Sequence, residues 1–131
     1  VRAWPAVAAL CGWTAFLWIT RIKNALGDDK MSTSGKVIAL VTSLAFLGAA
    51  GALAFVHLRS RPGARRAAAA FALVSIVYWF VRAATIIVRH HPIGFKLVHT
   101  VLALITVGLG VWVLRSTSGR ARAGRPARTP V

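Results

Sequence analysis

Acid is what this chain has least of. Of its 131 residues only Asp28 and Asp29 are acidic, and glutamate is absent. Away from that one dipeptide there is no carboxylate for general acid–base chemistry. Cys11 is the single cysteine, so no intrachain disulfide can form, and its place in an apolar run reads as a small buried residue. No Ser-His-Asp or Cys-His arrangement and no glycine-rich phosphate loop can be found. Catalysis is therefore not expected, and neither is a metal or cofactor. His90, His91 and His99 fall on one side of the chain's layout but have no Cys or Glu to complete a site. His57 falls on the opposite side and cannot share a haem with His99.

Apolar residues and positive charge make up the rest. Hydrophobic residues are 57% of the chain, against 17 Lys+Arg and a net charge of +15. The two kinds are not alternated, as they would be in each element of a soluble domain, but gathered into long apolar blocks and short basic ones. That is the pattern of a membrane protein, in which basic residues set orientation. A nucleic-acid partner is not expected, because no recognition module carries the charge.

Four apolar runs, about 3–19, 37–57, 67–88 and 97–114, predict an all-α membrane protein of four transmembrane helices in a compact bundle. A basic tail, 115–131, is predicted to be disordered and to touch anionic lipid headgroups through Arg115, Arg120, Arg122, Arg125 and Arg128. Ten of the basic residues (Arg2, Arg59, Arg61, Arg65, Arg66 and the five of the tail) share one side of the layout. Six (Arg21, Lys23, Lys30, Lys36, Arg89 and Lys96) share the other. The excess predicts both termini inside, in what the Ala/Arg/Gly/Val-rich composition suggests is a bacterial inner membrane. Trp4 and Trp112 then fall near the inner interface and Trp18 and Trp79 near the outer one, as an aromatic belt, with Trp13 left for the core.

In the second run, Ala45/Ala49 and Gly48/Ala52 put small residues at four-residue spacing, which predicts close approach of a helix from the same chain. Trp18-Ile-Thr-Arg21 recurs as Trp79-Phe-Val-Arg82, offset by 61. Lys36, Val41, Leu44 and Gly48 recur as Lys96, Val101, Leu104 and Gly108, offset by 60. These matches suggest one helical hairpin repeated twice in the same orientation, about an axis along the membrane normal.

Arg82 is the one charge inside a long apolar run. It lies roughly 10 Å of helix rise before Arg89, close enough to snorkel outward, with Tyr78 and Trp79 on its own helical face. An intramembrane charge points to function. The predicted polar cluster is Arg82, His99, Asp28, Asp29, Lys96 and His91, in which an aspartate would pair with Arg82 or Lys96. The expected role is that of an accessory, scaffold or lipid-contacting subunit, partnered by the bilayer, by another membrane protein or by further copies of itself. A small oligomeric transporter or channel is the alternative, and a haem- or quinone-linked redox subunit a weaker one.

Overall fold

The computed structural model describes residues 3–123, with side chains to residue 118. Four α-helices follow one another, α1 (Trp4–Gly27), α2 (Thr33–Leu58), α3 (Ala64–Val88) and α4 (Ile93–Ala123), and no strand occurs among the described residues. Each helix is long and apolar enough to cross a membrane, which makes this a multi-pass membrane protein.

Every helix is longer than its apolar run, because caps and turns set helix ends while hydropathy sets only the part in lipid. Pro5 sits in the first turn of α1, where a missing N–H costs nothing. The helix then continues past the expected end at Ile19 to Gly27, anchored by the buried Ala25. Arg21 and Lys23 are thus helical residues and not loop residues. Ser32 starts α2 by accepting the Gly35 N–H on its hydroxyl at 3.1 Å. At the other end, Ser60 N–H donates to His57 O at 3.1 Å and Arg61 N–H to Val56 O at 2.9 Å. That bond pair, with Ser60 left-handed at φ 48°, is a Schellman closure with serine where glycine is usual. Gly63, at φ 81°, then leads into α3. Pro92 forces extended backbone before it and so separates α3 from α4.

The expected disorder from residue 115 is corrected in part. α4 runs through Arg115 to Ala123, and Ser116 is buried. The arginines at 120, 122, 125 and 128 have side chains outside the described ones.

Packing is most extensive between α3 and α4 and between α1 and α2, then between α1 and α4, and sparser between α2 and α3. Two antiparallel hairpins thus stand side by side. Gly110 lets α4 approach α3: a Cβ there would lie 2.7 Å from Ile76 Cγ1. The predicted close approach on α2 does not occur. Ala45, Ala49 and Ala52 line an open groove of about 450 Å³ between α2 and α3, and a Cβ on Gly48 would meet nothing within 4 Å. It is Ala50 and Leu53, on the adjoining face, that pack inward. Hydroxyls inside the helices mostly bond back one turn, as Thr14 does to Leu10 O and Ser43 to Ala39 O, leaving few polar groups for lipid to meet.

Candidate functional site

At the end of the bundle where α1 and α3 terminate, two tryptophans placed in an interfacial belt by the sequence are instead buried. Trp18 is 4% exposed and Trp79 8%. Position along a helix gives a side chain's depth but not the face it occupies, and both faces point inward. Trp18 stacks on Phe46 at 4.6 Å between ring centroids and lies 5.5 Å from Tyr78 and 6.2 Å from Trp79. Phe46 meets Tyr78 at 5.1 Å. These four rings, from α1, α2 and α3, form an aromatic floor. Trp13, expected in the core, is half-buried and donates its indole N–H to Thr106 Oγ1 at 2.9 Å.

One turn beyond this floor come the two arginines of the repeated Trp-x-x-Arg. Arg21 and Arg82 each lie six residues before the end of their helix, roughly 9 Å below it. Both are half-buried, and both line the same two cavities. The larger, about 440 Å³, is walled by α1, α3 and α4 and also takes in Asn24, Asp28, Met31, Phe95 and His99. The smaller, about 230 Å³, lies on the α2 side, with Gly35, Ile38, Ala39 and Thr42.

The walls correspond. Gly35, Ile38, Ala39 and Thr42 of the smaller cavity each lie 60 positions before Phe95, Val98, His99 and Leu102 of the larger. Trp18 and Arg21 stand 61 before Trp79 and Arg82, the offsets seen in the sequence. At one of these pairs an ionisable side chain stands on one wall only, His99 in the larger cavity against Ala39 in the smaller. That histidine's Nδ1 lies 2.9 Å from Phe95 O, and since a carbonyl only accepts, Nδ1 carries the proton and Nε2 is left free.

The predicted cluster is only partly assembled. Arg82, His99 and Asp28 share the larger cavity. Lys96 turns away, its Nζ donating to Ile87 O at 3.1 Å at the end of α3. His91 stacks on Phe95 at 4.8 Å, outside the cavity lining, and Asp29 stays in the α1–α2 turn. Asp28 Oδ1 accepts the Lys30 N–H at 2.9 Å, and among the described residues no aspartate forms an ion pair with an arginine or lysine. Sequence reasoning overlooked Arg21 as a partner of Arg82, although the Trp-x-x-Arg repeat signalled it.

Two guanidiniums in one cavity, with a single carboxylate at its rim already engaged by backbone, create a positive local potential that suits an anion. The planar forks of two arginines can hold a phosphate or carboxylate, and the aromatic floor closes the apolar side. Among the described residues no three His, Cys, Asp or Glu side chains group as metal ligands would. No protein-family model matches the chain, and comparison with curated proteins and with solved structures finds no match either.

Proposed function

We propose that this is a lipid-contacting accessory subunit of a bacterial inner membrane, and that its working end is the cavity between the two hairpins, where Arg21 and Arg82 together receive the anionic headgroup of a lipid. One observation carries the reading: two arginines from separate helices line the same cavities, with one aspartate at the rim of the larger, and among the described residues neither arginine forms an ion pair. Their depth, roughly 9 Å inside the helix ends, suits a headgroup drawn slightly below the interface. Correspondence of the two cavity walls supports a duplicated hairpin with a pseudo-two-fold axis between Arg21 and Arg82. The excess of basic residues on the α2–α3 side supports both termini inside, so that this cavity opens outward.

Trp18 and Trp79 supply the readout. Titrating the purified protein in neutral detergent with a short-chain anionic phospholipid should change tryptophan fluorescence saturably, and a zwitterionic analogue should not. If Arg21→Gln/Arg82→Gln responds as the native chain does, the reading is wrong.

A second reading is favoured by the unequal packing, tight within each hairpin and looser between them. Hairpins that rock about a central pair of arginines could pass a small anion, in an oligomer. Anion flux in liposomes, lost in the same double variant, would identify it.

A further inference from the structure

The opposite end of the bundle, where α1 starts, α2 ends and α3 starts, holds a separate cavity of about 410 Å³. It is lined by Trp4, His57, Ser60, Arg61, Gly63 and Arg65, with Ala3 and Ala64. It contains no acid, since both aspartates lie at the far end of α1. Arg65 Nη2 is buried, with no hydrogen-bond partner among the described residues. A buried donor left unpaired is costly, more so on a charged group. Arg65 stands between this cavity and a neighbouring one lined by Arg66, Thr117 and Ser118, so cations and hydroxyls surround it on both sides.

Backbone adds to the same field. The α3 N-terminus opens here on Gly63, which has no side chain to cap it, and its first turn carries no acidic residue. Ala64 N–H is taken by Arg61 O at 3.3 Å and Ala67 N–H by Gly63 O at 2.9 Å. The N–H groups of Arg65 and Arg66 belong to the first turn, which has no intrahelical acceptors, and the helix dipole places partial positive charge there. His57 Nε2 lies 3.1 Å from Ala64 O and, facing a carbonyl, is the donor, so one of the few local acceptors is already used. Ser60 lines the cavity from the left-handed position that closes α2.

We propose that this cavity is a phosphate-binding site, formed by Arg61, Arg65, Ser60 and the uncapped start of α3. Two guanidiniums, a serine and the start of a helix gathered at one cavity suit a tetrahedral anion with several acceptor oxygens, where a carboxylate offers two in one plane. Trp4, its ring 6.1 Å from His57, walls the apolar side. The site is independent of the Arg21–Arg82 cavity and shares no residue with it. The phosphate comes from a lipid headgroup at this membrane face or from solution.

The full chain in neutral detergent tests this, with thermal midpoint read against inorganic phosphate in one arm and short-chain phosphatidic acid in the other. A saturable rise in either arm that Arg61→Gln or Arg65→Gln weakens supports the site, since a rise independent of both belongs to the Arg21–Arg82 cavity. A rise with phosphate alone or with both identifies a soluble phosphate ligand, and a rise with the lipid alone a headgroup. Arg65→Gln should weaken the response about tenfold, the loss of one charge-assisted bond. Should that variant misfold, Arg61→Gln, an exposed position, carries the same test. Arg21→Gln, which alters only the other cavity, should leave the Arg61-dependent part of both responses intact. No rise in either arm, or responses unchanged in both Arg61→Gln and Arg65→Gln, would overturn the proposal.

Discussion

Trp18 and Trp79, 61 positions apart in the chain, bring their indole rings to 6.2 Å at an interplanar angle of 50°. The contact joins the α1–α2 hairpin to the α3–α4 hairpin, each ring one turn below the arginine of its own helix, Arg21 or Arg82. Large rings fix the spacing of α1 and α3, and the arginines that follow are held facing shared space despite their like charge. The buried aromatic floor thus offsets a repulsion that the chain's own acids leave unneutralised.

Gly110, and not the small-residue face of α2, controls helix approach. Gly110→Ala places a methyl 2.7 Å from Ile76 Cγ1 and 3.4 Å from Ala72 O, so α4 or Ile76 must move. The expected cost is roughly 1–3 kcal/mol, as for other overpacked cores. Gly48→Ala has open space and should not lose stability. Thermal unfolding of the two variants in one detergent checks the contrast.

Serine at the left-handed closure of α2 carries strain that glycine would not. Ser60→Gly should raise stability by about 1 kcal/mol, the usual cost of a left-handed L residue. The same substitution removes the Ser60 hydroxyl from the phosphate cavity. Stability should therefore rise while phosphate response falls, and a single melting series with and without phosphate reads both.

Where the chain is cut after α4's apolar stretch should matter. Ser116 is 6% exposed, and Thr117 and Ser118 line a cavity with Arg65 and Arg66. Ending the chain at Leu114 should lower the melting temperature by several degrees relative to ending it at Ser118. Equal melting of both truncations would mean that residues 115–118 add nothing to the bundle.

Helix number and order were legible in the sequence because lipid demands about 20 apolar residues per crossing, and four such runs stand out. Helix ends were not, since Ser32, Ser60 and Gly63 act through local backbone geometry that hydropathy ignores. Arg82 was legible as a lone charge in an apolar run. Its partner was hidden by being counted as a loop residue: Arg21 follows the first apolar run, and only the continuation of α1 to Gly27 returns it to the bundle. Charge alone makes Asp28 or Asp29 the expected partner of Arg82 or Lys96, whereas Asp28 Oδ1 instead takes the nearby Lys30 N–H and Asp29 stays in the turn. Local side-chain-to-backbone bonds of this kind form without closing a long loop, so they precede distant pairing.

The central claim is that Arg21 and Arg82 serve one anion. A double-mutant cycle on anionic-lipid affinity, with Arg21→Gln, Arg82→Gln and the double variant followed by tryptophan fluorescence, tests it most directly. Each single substitution should weaken binding about tenfold, and the double variant should lose far less than the product of the two. Full additivity would place the arginines at separate sites, and unchanged affinity in either single variant would remove that arginine from the site and contradict the account.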